Sequence, residues 1–129
     1  MAKTRIQLGR EGEAIIDAAL RKQHYTIIER NWRCAIGEVD LIAKRDGEWY
    51  FVEVRTRSTS SYISPEQGLT FYKRERMEKV ARTYIGQQTS DADAIWHLSF
   101  AAVIVSHTGK IERMTLYPDL YGEPLELGV

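Results

Sequence analysis

Cysteine, proline and long apolar runs are all scarce in this chain. It has one cysteine, Cys34, and three prolines among 129 residues. A single cysteine excludes an internal disulfide and most cysteine-based metal sites. No segment approaches the roughly 18 apolar residues that a membrane helix needs, and the N-terminal residues 1–14 do not lead into a signal peptide. We therefore expect a cytoplasmic protein without a membrane partner.

An excess of charge of either sign is also missing. Lys plus Arg and Asp plus Glu both number 18, so the net charge is zero. The distribution is uneven, because residues 55–82 contain seven Lys/Arg but only three acids. A basic segment of this kind favours contact with nucleic-acid phosphates, although a solvated helix face explains the same charges. The residues predicted to contact a nucleic-acid backbone are Arg57, Lys73 and Arg74.

Apolar periodicity predicts a mixed α/β fold with the element order α-β-β-β-α-β-β. The second helix is predicted to begin at Pro65. A chain of this length suits a single domain, which we assign to residues 1–117, with residues 118–129 as a loose C-terminal extension. The predicted helices cover residues 8–25 and 65–87, and the predicted strands cover residues 26–33, 37–44, 48–55, 97–106 and 111–117.

An Asp-Gly dipeptide at 46–47 predicts a tight two-residue hairpin between the second and third strands. With that turn, Asp40 lies directly opposite Glu53, and Glu38 lies opposite Arg55. Facing side chains at such positions are roughly 4.5–5.5 Å apart at Cβ. The alternate residues are predicted to fill the core-facing side of the hairpin: Val39, Leu41, Tyr50, Val52 and Val54.

Two carboxylates directly opposite each other on a sheet are destabilising. A shared proton, a neighbouring cation or a bound metal ion would each relieve the repulsion between Asp40 and Glu53. A hard divalent cation prefers such oxygen ligands and could activate water against a phosphodiester. The alternative is a solvated face on which Arg55 and Arg57 neutralise both acids.

The same residues carry a family resemblance. Asp40, twelve intervening residues and then Glu53-Val54-Arg55 resemble the signature of the PD-(D/E)xK nuclease superfamily. More narrowly, residues 8–105 resemble the YraN-like family, which is similar to archaeal Holliday-junction resolvases. The motifs that carry this resemblance are Gly9, Gly12 and Glu13 in "GREGEAII", followed by "ERNWR", "GEVDLIA", "FVEVRTRS" and "YKRERMEKVARTYI".

The resemblance implies a restriction-endonuclease-like core with a central mixed β-sheet flanked by helices. It implies a Mg²⁺-dependent (or Mn²⁺-dependent) endonuclease acting on DNA, with branched DNA as one candidate substrate. Glu13, Asp40 and Glu53 would hold the metal, and Arg55 would be the fourth catalytic residue. Relatives with this fold often act as two-fold dimers, so a homodimer is a further expectation.

This chain departs from the nuclease pattern at two places. Arg55 stands where the superfamily has lysine, and arginine stays protonated and is a poor general base. Ala101 and Ala102 lie in a strand where relatives tend to have an acid. Two alternatives therefore stay open: a non-catalytic nucleic-acid-binding module on a nuclease scaffold, and a protein-interaction scaffold.

Several other side chains are weaker candidates. Trp32 and Arg33 could stack on a base, although half-buried packing is the commoner role of tryptophan. Gln67 resembles the polar residue that some nucleases place beside the metal. Glu38 is predicted to be a cross-strand partner rather than a third metal ligand. The three histidines have no ligand spacing and are assigned structural roles: His24, His97 and His107.

Overall fold

A six-stranded mixed sheet with its strands in sequence order forms the centre of the molecule. The computed structural model describes residues 3–88 and 93–128. All neighbouring strands are antiparallel except the third and fourth, which are parallel and joined through the second helix. This confirms the α/β class and the mixed sheet flanked by helices. The elements are α1 (Arg5–Lys22), β1 (Thr26–Arg33), β2 (Glu38–Arg45), β3 (Glu48–Ser58), α2 (Phe71–Gln88), β4 (Trp96–Val105), β5 (Ile111–Tyr117) and β6 (Leu125–Glu126).

The two helices cover opposite faces of the sheet because each carries one apolar stripe. The stripe of α1, with Ile16 and Leu20, packs in a cluster with Leu41 and Val52. The stripe of α2 packs in a separate cluster with Ile42 and Phe51 of the same two strands. Successive strand residues point to opposite faces, so one hairpin supplies both clusters. The α2 residues in the second cluster are Val80, Ala81 and Tyr84.

The β2–β3 hairpin has the predicted turn and register. Asp46 and Gly47 both have positive φ, 52° and 79°, as a type I′ turn requires. The pairing runs from Arg45↔Glu48 to Leu41↔Val52 and opens beyond that point. Where it opens, the Val54 backbone N–H donates to Asp40 Oδ2 at 2.8 Å rather than to a ladder carbonyl.

The opening of this ladder corrects one face assignment. Val39 was predicted to share the core face of Leu41, but it packs with Ile42 and Phe51 under α2. Leu41 lies in the opposite cluster, under α1. The strict alternation of side chains is therefore interrupted between residues 39 and 41, which places Asp40 at the irregular position.

The predicted start of α2 at Pro65 is wrong. Pro65 precedes a short 3₁₀ turn, Glu66–Gly68, and the α-helix begins only at Phe71. Thr70 Oγ1 accepts the Lys73 backbone N–H at 3.3 Å, so a side-chain cap marks the true helix start. The intervening Gly68 disfavours a continuous helix from the proline.

Residues 118–128 are not loose. The short strand β6 pairs with β5 at Leu116↔Leu125, and Leu127 is only 4% exposed in the core under α1. An apolar residue directly after a paired strand anchors the segment, which composition alone did not indicate. The outer limits assigned at residues 1 and 129 lie outside the described residues. Neither helix described is long and apolar enough to cross a membrane.

Candidate functional site

A cleft of about 820 Å³ lies between α1, α2 and the open ends of β2 and β3. We call it the carboxylate cleft, because four acids line it: Glu13, Glu38, Asp40 and Glu53. All four residues assigned catalytic roles from the sequence reach this one cleft, including Arg55. The structure therefore brings together side chains from α1, β2 and β3. The first and last of them, Glu13 and Arg55, are 42 positions apart in the chain.

Glu13 reaches the cleft because α1 lies unusually close to β3. The preceding residue, Gly12, is buried, and a Cβ added to it would lie 1.8 Å from Thr56 Oγ1. Any larger residue must push the helix away from the strand. Gly12 of the "GREGE" motif thus sets the height of Glu13 above the sheet, whereas a Cβ on Gly9 would meet nothing within 4 Å.

Burial raises the pKa values of the three central carboxyl groups, and repulsion by Asp40 adds to the shift of two of them. Burial followed by the charge of Asp40 raises the pKa of Glu13 to about 7. The same two causes raise the pKa of Glu53 to about 7, against the opposing charge of Arg55. Burial also raises the pKa of Asp40, although the Val54 N–H stabilises its charged form. The three acids form one electrostatic unit with a surplus of negative charge.

Arg55 forms an ion pair with Glu53 on its own strand, Nη2 to Oε1, at 2.8 Å. Its Nε is buried and has no hydrogen-bond partner among the described residues. The predicted pairing of Arg55 with Glu38 is wrong. Glu38 instead binds Arg33 on β1 at 3.0 Å, because the β1–β2 register places these two residues opposite each other. Glu38 is therefore a cross-strand partner, as predicted, but of a different arginine.

Basic side chains surround the four acids. Six of them line the carboxylate cleft: Arg5, Arg10, Arg33, Arg55, Lys73 and Arg76. Arg76 lies close against Gly37, where an added Cβ would be 2.9 Å from its Cδ. Burial, followed by the nearby charge of Arg55, lowers the pKa of Lys73. Cations thus outnumber acids at the cleft, although the whole chain has no net charge.

Sequence reasoning missed four polar cleft residues, Arg5, Arg10, Asn31 and Arg76. A signal for the first two was present, because Arg5 and Arg10 precede Glu13 by eight and three residues and so share its helix face. Asn31 gave no comparable signal. It has a left-handed backbone, φ 51°, in the middle of β1, and asparagine tolerates that conformation better than most residues.

The basic residues predicted to contact nucleic acid do not all reach the cleft. Lys73 lines it. Arg57 lies near Lys73, whose pKa its charge helps to lower, but it is not a cleft residue. Arg74 lies on another face of α2, with its guanidinium 5.7 Å from the ring centre of Tyr121. Lys73 and Arg74 were predicted together from their place in the basic segment of residues 55–82, yet consecutive helical residues point in different directions.

Two weaker candidates have structural roles. Trp32 packs edge-on against Tyr84, with ring centres 5.1 Å apart, and so belongs to the core under α2. Gln67 caps the 3₁₀ turn, where its side chain accepts the Ser64 backbone N–H at 2.7 Å. Neither residue lines the carboxylate cleft.

The carboxylates are not closed into a preformed metal cage. Within residues 3–88 and 93–128, no group of three or more His, Cys, Asp or Glu side chains is arranged to hold a metal ion. Asp40 Oδ2 is engaged by the Val54 N–H, and Glu53 is engaged by Arg55. What the cleft provides is three repelling acids within a basic surround.

The fold and the site together define a small α/β protein with an acid-centred, basic-rimmed cleft at the open end of a β-hairpin. Comparison with known proteins places it more narrowly. Residues 12–105 match the Uncharacterised protein family UPF0102, and the chain belongs to that family. This confirms the YraN-like resemblance. The matched segment includes Glu13, Asp40, Glu53 and Arg55.

Relatives from several bacteria share most of the chain. A UPF0102 protein of Moorella thermoacetica is 40% identical over 88 residues, which cover 68% of this chain and 73% of the relative. Those of Caldicellulosiruptor bescii and Geobacter metallireducens are 30% and 31% identical over 115 residues. These alignments cover 89% and 88% of this chain and 97% and 91% of the relatives. The names of these relatives state their family and no activity.

Proposed function

We propose that this protein binds nucleic acid and hydrolyses phosphodiester bonds with the help of a divalent cation. One observation carries the proposal: Glu13, Asp40 and Glu53 meet in a cleft whose rim holds more cations than acids. Acids alone would repel a phosphate backbone, and cations alone would only bind it. The combination suits a site in which the surrounding arginines and lysine bind a phosphate while the three acids bind a divalent cation.

The acids fit a Mg²⁺ or Mn²⁺ ion in their chemistry. These cations prefer carboxylate oxygens. Burial raises the pKa of all three groups, and the charge of Asp40 raises those of Glu13 and Glu53 further. The ligands would be Glu13, Asp40 and Glu53, drawn together by the ion rather than preformed. When bound, the ion would polarise a phosphate oxygen and lower the pKa of a coordinated water.

The chain's own basic residues account for substrate binding. Arg55 Nε has no hydrogen-bond partner within the described part of the chain, and Lys73 and Arg76 enter the cleft from α2. A guanidinium beside the carboxylates can stabilise negative charge that develops on a phosphate oxygen. Arg33 and Arg10 enter from β1 and α1, so cations are provided on several sides of the acids.

A non-catalytic nucleic-acid-binding protein is the second candidate. The ion pair between Arg55 and Glu53 at 2.8 Å favours it, because a protonated arginine occupies one of the expected metal ligands. In that case the rim binds the backbone, and the acids have no role in turnover. Binding would then need no metal and would weaken steeply with salt.

The deciding experiment compares the wild type with Asp40→Asn and with Glu38→Gln. Glu38 is the matched control, because it lines the same cleft but is more exposed and pairs with Arg33. Mg²⁺ and Mn²⁺ affinities are measured by calorimetry, and cleavage is followed on labelled branched, duplex and single-stranded DNA. We expect Asp40→Asn to abolish cleavage and to weaken metal binding by about tenfold or more, and we expect Glu38→Gln to retain both.

The outcomes separate the two candidates. Cleavage that is lost in Asp40→Asn and kept in Glu38→Gln supports the metal-dependent nuclease. Salt-dependent DNA binding without metal binding at millimolar ion supports the non-catalytic protein and refutes the nuclease. The absence of salt-dependent binding to any nucleic acid contradicts both candidates and leaves a protein-interaction scaffold.

A further inference from the structure

Two large apolar side chains are exposed on residues that line the carboxylate cleft or adjoin a residue that does. Ile6, on the first turn of α1, is 69% exposed and lines the cleft. Tyr72, on the first turn of α2, is 78% exposed. We propose that Tyr72, together with Ile6, stacks against unpaired bases, so that the substrate is single-stranded or locally unpaired nucleic acid. This inference rests on the proposed function.

Helix geometry places Tyr72 at the edge of the α2 face that lines the cleft, next to Arg76. Tyr72 precedes Arg76 by four residues, and residues four apart lie on the same helix face one turn away. Arg76 lines the cleft, as does Lys73, the residue after Tyr72. Tyr72 therefore lies one helical turn from one cleft cation, Arg76, and next to another, Lys73, in the chain.

The other exposed aromatic residues of this region lie elsewhere. Phe71 and Tyr121 line a separate depression of about 360 Å³, together with Arg74 and Trp96. Phe71 and Tyr72 are 6.5 Å apart between ring centres, but they are about 100° apart around the helix, at 3.6 residues per turn. Tyr72 thus differs from its exposed neighbour Phe71 because it lies outside that separate depression and one helical turn from the cleft residue Arg76.

Exposed apolar side chains next to a charged cleft suit unpaired bases better than a duplex. A duplex presents phosphates outward and keeps its base faces stacked inside, so it offers nothing for an exposed tyrosine to cover. An unpaired base presents an apolar face, and proteins that bind single strands combine aromatic platforms with basic grooves. The cations of the cleft then contact the phosphate backbone, and the Tyr72 ring stacks on the base.

The depth of the acids supports the same substrate class. The Glu53 side chain is only 15% exposed, and the Asp40 carboxylate accepts the Val54 N–H at 2.8 Å. A phosphate must therefore enter the cleft to approach these groups. A flexible single strand can bend inward, whereas a duplex must carry its second strand with it.

The test measures binding of the full chain to labelled oligo(dT), oligo(rU) and a hairpin duplex by fluorescence anisotropy. EDTA is present so that no cleavage occurs. The variants are Tyr72→Ala, Tyr72→Phe and, as a matched control, Tyr121→Ala, whose side chain is 80% exposed outside the cleft. Because Tyr72 is largely exposed, its removal is not expected to unfold the protein.

We expect the wild type to bind single strands more tightly than the duplex, and Tyr72→Ala to weaken single-strand binding about tenfold. Tyr72→Phe keeps the ring and restores the affinity, and Tyr121→Ala leaves it unchanged. The comparison of oligo(dT) with oligo(rU) shows which sugar is preferred. Duplex binding that equals single-strand binding, or a Tyr72→Ala variant that binds as well as the wild type, overturns this inference but not the proposed function. No binding to any probe at low salt overturns the proposed function as well.

Discussion

Asp40 accepts the backbone N–H of Val54 at 2.8 Å where the β2–β3 ladder opens. The same carboxylate thus replaces a ladder hydrogen bond and contributes charge to the cleft. Its two roles can be separated by substitution, because an amide oxygen can still accept the N–H but carries no charge. This relationship explains how an acid is tolerated at a largely buried strand position.

Asp40→Asn and Asp40→Ala should therefore differ in stability. Asn keeps an acceptor for Val54 and removes repulsion with Glu13 and Glu53, so the free energy of unfolding should stay within about 1 kcal/mol of the wild type. Ala leaves the Val54 N–H without its partner and should cost roughly 1–3 kcal/mol. Urea denaturation at pH 7 measures both values. Equal stability of the two variants would show that the hydrogen bond is unimportant for the fold.

Gly12 should tolerate no side chain. Gly12→Ala places a Cβ against Thr56 Oγ1, so we expect a loss of about 1–3 kcal/mol despite the better helix propensity of alanine. Gly9→Ala, three residues earlier on the same helix, meets nothing within 4 Å and should gain up to about 1 kcal/mol. Thermal unfolding followed by circular dichroism compares the two.

The same two variants should differ in metal affinity. Gly12→Ala lifts α1 and moves Glu13, so this variant should bind the metal ion more weakly than the wild type. Gly9→Ala should bind it as tightly as the wild type. If Gly12→Ala matches the wild type in both stability and metal affinity, the close approach of α1 to β3 does not position Glu13.

The stability of the protein should decrease as the pH rises from about 5 to 8. Glu13 and Glu53 have folded-state pKa values of about 7, above their ordinary 4.5. Between these values the folded state binds more protons than the unfolded chain, so the free energy of unfolding falls with rising pH and levels off above pH 7. Chemical denaturation at pH 5 and pH 8 measures the difference.

A single neutral substitution should remove part of this slope. Glu13→Gln imitates the protonated acid, so it should change little at pH 5 and add roughly 1 kcal/mol at pH 8, after allowance for partial solvent exposure. Glu11→Gln is the control, because Glu11 pairs with Lys3 at 2.6 Å on the exposed side of α1 and should change stability by about 0.5 kcal/mol or less. A wild type that is more stable at pH 8 than at pH 5 contradicts the assignment.

The sequence predicted the hairpin well because its determinants are local. The Asp46-Gly47 turn sets the register as far as Leu41↔Val52, and Asp40 and Glu53 are the next residues along the two strands. Glu13 was found only through the family resemblance, since its approach depends on the tertiary contact of Gly12 with Thr56.

Features that depend on tertiary context were missed or assigned wrongly. The Glu38–Arg33 pair depends on the β1–β2 register, which no short turn motif specifies. The start of α2 at Phe71 depends on a threonine cap that competes with the proline signal at residue 65. The different environments of Lys73 and Arg74 depend on which faces of α2 meet the sheet and the C-terminal segment.

Arg55 offers the most direct test of catalysis, because it is the residue that departs from the nuclease pattern. Arg55→Lys keeps a cation near Glu53 and introduces a group that can lose its proton, so cleavage should persist within about tenfold of the wild type or increase. Arg55→Ala removes the cation that pairs with Glu53 at 2.8 Å, and cleavage should fall by roughly a hundredfold or more. Single-turnover cleavage at saturating Mg²⁺ measures both variants.

Arg57→Ala is the control, since Arg57 lies on the same strand but outside the cleft. Cleavage by Arg55→Ala at the wild-type rate would limit Arg55 to a structural partner of Glu53.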